Sequence, residues 1–169
     1  KVTSLPDAEP RPRKVAIGTF DGVHRGHRAV IEGADTVLTF DPHPLEVLHP
    51  AALPKLIMPF EVKRDVIEGL GVEELVVIPF DDDFAHRSAV DVIEHVLVEK
   101  LGAKQVSVGE NVRCGAKAKG DPAMLEAHPE FETRVVPLIG PRTSEQFENL
   151  VPALDIKLTA EQIERLETA

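Results

Sequence analysis

One short segment, residues 18–27, combines glycines and histidines in a pattern suited to phosphate chemistry. It reads Gly18-Thr19-Phe20-Asp21-Gly22-Val23-His24-Arg25-Gly26-His27. Glycines let a backbone turn tightly and approach a ligand, and a following helix offers free N–H groups to an anion. His24 and His27 lie three residues apart, so their rings can share one side of a first helical turn. Such rings can donate hydrogen bonds to a reacting phosphate. The segment predicts a polyphosphate site; histidines that only cap or pack are the alternative.

Apolar runs on both sides of this segment predict the strands that hold it. The runs are nearly continuous rather than alternating, as expected for strands covered on both faces. Four of them are Val15–Ile17, Thr36–Phe40, Leu75–Ile78 and Val106–Val108, and Thr133–Val136 is a fifth candidate. The glycine-histidine segment therefore joins the first of these strands to the helix that follows it.

Two stripes of apolar residues predict helices between later strands. Each is followed by a glycine suited to end a helix: Val62, Val66, Ile67 and Leu70 before Gly71, and Val90, Ile93, Val96, Leu97 and Leu101 before Gly102. Alternating strands and helices predict an α/β fold with a parallel, Rossmann-like sheet. Ligands bind such sheets beside the carboxyl ends of the strands.

Composition narrows the class of protein. A net charge of −10 argues against a nucleic-acid-binding surface, which is usually basic. No apolar run is long enough to cross a bilayer. The single cysteine, Cys114, excludes an internal disulfide and favours a cytoplasmic protein. We therefore expect small-molecule substrates and neither nucleic acid nor membrane as partners, while the oligomeric state stays open.

The same residues resemble a known family. His24-Arg25-Gly26-His27 matches the H-x-G-H signature of the adenylyltransferase superfamily, and the whole segment 18–27 resembles the FMN adenylyltransferase module of bacterial riboflavin kinase/FAD synthetases. Three further segments match in order: Thr39–Pro44, Leu70–Phe80, and Val108–Gly115 together with Gly120-Asp121. The resemblance covers roughly residues 14 to 137.

This resemblance implies that ATP and FMN, with Mg²⁺, give FAD and pyrophosphate. The FMN phosphate would attack the α-phosphorus of ATP in line, so catalysis would be positioning and charge stabilisation. The implied site residues are catalytic His24 and His27; nucleotide-binding Gly18, Thr19, Phe20, Asp21 and Gly26; flavin-binding Asn111, Val112 and Arg113; and Asp41 for the metal.

The chain departs from this family's pattern at two places. The family usually has Phe where Val112 and Cys114 stand, so an aromatic wall of the flavin site is expected to be weaker. The family also continues into a Ser-Ser-Thr-x-x-Arg segment that completes the phosphate site, where this chain has Ile139–Gln146. Arg142 or Ser144 could take over that function, and turnover could be impaired.

The last part of the chain resembles a different family. Gly140–Thr143, Glu145–Phe147, Ala153–Asp155 and Leu158–Glu161 fit the C-terminal end of an aldo-keto reductase. About 30 residues cannot form a barrel of ~250 residues, and the chain has no Tyr for reductase catalysis. We interpret 1–13 as an N-terminal arm, 14–137 as the nucleotidyltransferase domain and 138–169 as a grafted helical tail.

Three functions remain open on these residues. The first is an FMN adenylyltransferase. The second is a nucleotide- or flavin-binding module without turnover, because the phosphate segment is replaced. The third is another small-molecule adenylyltransferase of the same fold, acting on a pantetheine phosphate or nicotinamide mononucleotide.

Overall fold

A computed structural model describes residues 1–53 and 55–137. The predicted tail, 138–169, lies outside the described residues, as do Arg142 and Ser144. The boundary predicted between the domain and the tail therefore stays a prediction.

Within the described residues, six parallel strands form one sheet in the order β1-β4-β3-β2-β5-β6. The strands are β1 Val2–Ser4, β2 Arg13–Ile17, β3 Thr36–Asp41, β4 Glu74–Pro79, β5 Ala103–Gly109 and β6 Glu132–Val136. All five predicted strands are present, and the predicted α/β Rossmann-like fold is confirmed. The sequence did not indicate β1, which lies inside the expected N-terminal arm and pairs with β4.

Helices cover both faces of this sheet. They are α1 Arg25–Ile31, α2 Pro44–Leu48, α3 Phe60–Glu68, α4 Asp82–Ala85, α5 Ala89–Asp91, which continues as a π-helix over Val92–Lys100, and α6 Pro122–Glu126. Short 3₁₀ turns lie at Leu5–Asp7, Pro50–Ala52 and Ala116–Ala118. Among these helices none is long and apolar enough to cross a membrane.

The predicted apolar stripes are only partly buried. Ile67 on α3 is fully buried, but Val62, within the same helix, is exposed. Leu70 is also exposed, because α3 ends at Glu68 and Leu70 belongs to the turn that follows. Val90 on the second stripe is also exposed, while the remaining residues of that stripe pack into the core.

Gly102 ends the π-helix in the left-handed region, with φ +64°. A Cβ atom at this position would lie 2.6 Å from the carbonyl oxygen of Arg11. A side chain is therefore excluded there by both conformation and space.

Two apolar cores lie on opposite faces of the sheet, because neighbouring residues of a strand point to opposite sides. In β2, Val15 contributes to the core under the π-helix, whereas Ala16 contributes to the core under α1 and α3. Phe20 and Val23, from the segment after β2, belong to that second core. The segment that carries the predicted chemistry is thus anchored in the interior.

The strand order places this segment at the reversal point of the sheet. From β2 the chain builds outwards through β3 and β4 on one side, and then crosses to β5 and β6 on the other. In open parallel sheets, ligands bind beside the carboxyl ends of the strands at such a point. The residues that follow β2 and β5 therefore lie on either side of this point.

A buried charge cluster ties the first strands together. Glu74, at the start of β4, accepts hydrogen bonds from Arg13 at 3.0 Å, from Thr3 at 2.7 Å and from Arg11 at 3.1 Å. The side chains of Arg13 and Glu74 are only 2% and 6% exposed. Removing one partner of a buried pair leaves the other charge without compensation.

We predict that Glu74→Gln lowers the free energy of unfolding by about 3 kcal/mol, because Arg13 would keep a buried charge without its carboxylate. The matched control is Glu73→Gln, the same change at the neighbouring exposed residue, for which we expect less than about 0.5 kcal/mol. Urea unfolding measures both. Equal stability of the two variants would contradict the assignment.

The same cluster predicts that the free energy of unfolding falls at acid pH. Burial alone would raise the pKa of Glu74, but hydrogen bonds from Thr3 and Arg13 and the charge of Arg13 lower that pKa to about 2. Between about pH 2 and 4.5 the Glu74 carboxylate is therefore protonated more often in the unfolded chain than in the folded protein. The stabilisation by the charged Glu74 is complete above that range and is lost as the pH falls through it. The stability difference between the wild type and Glu74→Gln should narrow towards pH 2.

Candidate active site

The segment after β2 forms a loop that leads directly into α1. His24 is the N-cap residue of α1, and its Nδ1 atom accepts a hydrogen bond from the backbone N–H of His27 at 3.3 Å. The two imidazole rings stack, with centroids 3.6 Å apart and planes 19° from parallel. The predicted juxtaposition of His24 and His27 at the first helical turn is therefore present.

His27 is neutral at physiological pH. Burial, followed by the neighbouring His24, lowers the pKa of His27 to about 4, against a smaller opposing effect of Asp21. Its Nδ1 atom is buried and has no hydrogen-bond partner within the described residues. A neutral imidazole of this kind can donate one ring N–H to a ligand oxygen without carrying a charge of its own.

The backbone between β2 and α1 is strained at two residues that are not glycine. Phe20 has φ +51° and Val23 has φ +36°, each in a region that L-residues rarely adopt. Such positions cost of order 1–3 kcal/mol each and cluster at functional sites. Their side chains are almost completely buried, which holds the loop in this shape. Phe20 can therefore offer a ligand only its backbone.

Gly18 faces the ring of Phe20. A Cβ atom at Gly18 would lie 3.0 Å from that ring, so the glycine makes room for the strained loop. Gly26 lies within the first turn of α1 and is partly exposed. These two glycines keep side chains away from the entrance of the helix.

Asp21 makes contacts that the sequence did not indicate. Its carboxylate accepts hydrogen bonds from the backbone N–H groups of Ile57, at 2.9 Å, and Met58, at 3.2 Å. Asp21 thus connects the loop to the segment that precedes α3. Its oxygens therefore hold protein backbone.

Two further features lie at the carboxyl end of β3. Asp41 is the last residue of the strand and is exposed. Just beyond it, His43 caps α2, and its Nδ1 atom accepts a hydrogen bond from the N–H of Leu45 at 3.1 Å. Lys63, on α3, reaches the same edge and donates a hydrogen bond to the carbonyl of Thr19. Sequence reasoning missed Lys63.

The residues predicted for the flavin follow β5. Asn111 is exposed, whereas Val112 packs partly against the core and donates its N–H to the carbonyl of Gly109. Arg113 donates to the carbonyl of Val112. The loop is closed by a bridge between Cys114 and Gly120.

Cys114 is a packed thiol in this loop. Burial, and next the nearby charge of Asp121, raise the pKa of Cys114. The thiol therefore stays protonated near neutral pH, and protonated thiols are poor nucleophiles.

The predicted site residues therefore lie at one edge of the sheet, at the carboxyl ends of the neighbouring strands β3, β2 and β5. Across the residues that the structure describes, no three His, Cys, Asp or Glu side chains are grouped so as to hold a metal ion.

A solved structure shares this architecture. It is described as the crystal structure of a macrolide-efflux protein from Streptococcus pneumoniae, with a TM-score of 0.72 and 22% sequence identity. The match covers 89% of this chain and 57% of that one. At this identity the similarity shows the fold alone.

Two curated relatives are more similar in sequence, and both carry the description bifunctional riboflavin kinase/FMN adenylyltransferase. The protein of Escherichia coli K12 is 34% identical over 122 residues, which are 66% of this chain and 39% of that protein. The protein of Bacillus subtilis is 38% identical over 117 residues, 63% of this chain and 37% of that protein. The chain thus spans well under half the length of these relatives.

The sequence profile of the FAD synthetase family matches residues 7–146, which is most of the chain. This range includes the loop after β2, the end of β3 and the loop after β5. The chain therefore belongs to the FAD synthetase family.

Proposed function

We propose that this chain is an FMN adenylyltransferase, which transfers AMP from ATP to FMN and produces FAD and pyrophosphate. The observation that carries the proposal is the stacked pair of His24 and His27 at the first turn of α1, beside the carboxyl end of a central strand. The family and the descriptions of its relatives supply the acceptor.

The reaction needs no covalent intermediate with the protein. A phosphate oxygen of FMN forms a bond to the α-phosphorus of ATP, and the bond from that phosphorus to the pyrophosphate oxygen breaks. The free N–H groups of α1 and the loop before it would bind the phosphates. His27, neutral and partly buried, would donate a hydrogen bond to the α-phosphate oxygens as their charge changes.

Asp41 is the residue proposed to hold Mg²⁺. Its exposed carboxylate at the end of β3 fits this ion, because Mg²⁺ in nucleotide sites is often bound by one or two carboxylates together with substrate phosphates. When bound, the ion would neutralise phosphate charge.

The flavin would lie over the loop after β5. Asn111 is exposed there and can hydrogen-bond a flavin edge, while Val112 and Arg113 would line its surroundings. Because the loops after β2 and β5 flank the reversal point of the sheet, both substrates can meet there. Because the single cysteine, Cys114, fits a reducing compartment, the cytoplasm is the location we propose.

The first test compares acceptors. With ATP and Mg²⁺ present, we expect pyrophosphate release with FMN and none above background with phosphopantetheine or nicotinamide mononucleotide. Release with one of the other acceptors instead would assign a different adenylyltransferase. Binding of ATP or FMN in calorimetry without any release would assign a binding module.

A further inference from the structure

Lys63 is held by the loop that precedes α1, although it belongs to a helix on the face of the sheet. Its Nζ atom donates to the carbonyl oxygen of Thr19 at 3.2 Å and to the hydroxyl of Thr39 at 3.4 Å. The Thr39 hydroxyl donates to the same Thr19 carbonyl at 3.2 Å. One backbone carbonyl, in the loop just after β2, therefore accepts two hydrogen bonds, one of them from a cation.

The surroundings of Lys63 are those of a fixed charge rather than of a solvated surface lysine. The side chain is half-buried, and its Nζ atom lies 5.4 Å from the centroid of the Phe60 ring. Burial lowers the pKa of Lys63, and the carboxylates of Asp41 and Asp21 act against that decrease. The ammonium group of Lys63 has therefore lost part of its hydration, which its hydrogen bonds to Thr19 and Thr39 replace.

A short chain of contacts leads from Lys63 to His27. The Thr19 carbonyl belongs to the peptide unit that enters the strained residue Phe20, at φ +51°. The ring of Phe20 in turn meets the ring of His27 edge-on, with centroids 5.4 Å apart and planes 86° apart. Because the peptide unit is planar, fixing the Thr19 carbonyl fixes the direction in which the backbone enters Phe20.

A second set of hydrogen bonds joins the loop to the region of α3 on the other side of Phe20. The Asp21 carboxylate is bonded to the N–H groups of Ile57 and Met58, which lie just before α3. Residues 57–63 thus hold the loop through both residues that flank Phe20. Removing the Lys63 contact leaves the Asp21 contact, so we expect local displacement rather than unfolding.

We propose that Lys63 is a positioning residue for adenylyl transfer: through Thr19 and Phe20 it holds the His27 imidazole in its reactive position. This inference rests on the proposed function. A lost positioning contact should lower kcat more than it raises KM for ATP, because the orientation of His27 matters in the transition state.

The test compares Lys63→Met with Arg64→Met. Arg64 is the next residue on α3, and its contact is an exposed ion pair with Asp65, so the control removes the same charge outside the site. We expect Lys63→Met to lower kcat about tenfold with KM for ATP within about twofold, and Lys63→Arg to recover most of the loss. Arg64→Met should leave kcat unchanged. An equal loss in both Met variants, or none in Lys63→Met, would overturn the proposal.

A second readout does not need turnover. In the ligand-free protein at pH 8, the NMR resonances of the His27 ring should move in Lys63→Met and stay in place in Arg64→Met. Thr39→Val, which removes the second bond to the same carbonyl, should move them too, and the double variant should be non-additive. Unmoved His27 resonances would overturn the positioning role. If the wild-type protein shows no pyrophosphate release, the proposed function is refuted. Moved resonances would then still show that Lys63 fixes the position of the His27 ring, but not that this position serves adenylyl transfer.

Discussion

The substitution His27→Ala should lower kcat for adenylyl transfer by about 10²–10³-fold, the usual cost of removing one hydrogen-bond donor to a developing charge. The fold should survive, because the helix cap uses the backbone N–H of His27 and not its ring. Urea unfolding should show a loss below about 1 kcal/mol, from the contacts with His24 and Phe20.

The control for this variant is His95→Ala. His95 is an exposed residue of the π-helix, and its ring contacts Asp91 and Glu99 on the same helical surface. Its removal should leave kcat unchanged. A His27→Ala protein with the kcat of the wild type would show that the ring only packs against its neighbours, and the catalytic assignment of His27 would be withdrawn.

Two substitutions at His24 can separate its role as the N-cap of α1 from a role of its imidazole ring in turnover. His24→Asn keeps an acceptor for the first turn of α1, whereas His24→Ala removes it, so only the alanine variant should lose about 1 kcal/mol of stability. Both variants lose the imidazole. Both should therefore lower kcat by about 10²-fold, measured as the initial rate of pyrophosphate release.

Ser88→Ala supplies the matched control at another helix. The Ser88 hydroxyl caps α5 by accepting from the N–H of Asp91 at 3.0 Å. Its loss should cost about 1 kcal/mol without a change in kcat. Recovery of wild-type kcat by His24→Asn would mean that the cap, and not the ring, supports turnover.

Much of the fold follows from local sequence. The strands β2 to β5 are predictable because each contains a short apolar run that is buried in the sheet. The edge strand β6 buries only Val136 and is indicated by its β-branched residues instead. Strand β1 is not, because it has only three residues, of which the apolar Val2 is exposed and the polar Thr3 is buried. Its place depends on pairing with β4, more than seventy residues away. Long-range pairing of this kind leaves little local pattern.

The candidate site is partly predictable, because some of its contacts are local in sequence and others are not. The glycine-histidine segment is contiguous, so its junction with α1 could be inferred from residues 18–27 alone. Asp21 binds backbone groups 36 and 37 residues further along the chain, which no local pattern indicates. Lys63 did leave a signal: it lies three residues after Phe60 and four before Ile67, on the inner side of α3.

The most direct test of the proposed function follows the α-phosphorus of ATP. With ATP labelled at that atom, together with FMN and Mg²⁺, we predict that the label enters FAD and that the released pyrophosphate is unlabelled. Omitting FMN should abolish release. Label that stays in ATP while both substrates are bound, or that leaves as free AMP without FAD, would contradict adenylyl transfer to FMN by this chain.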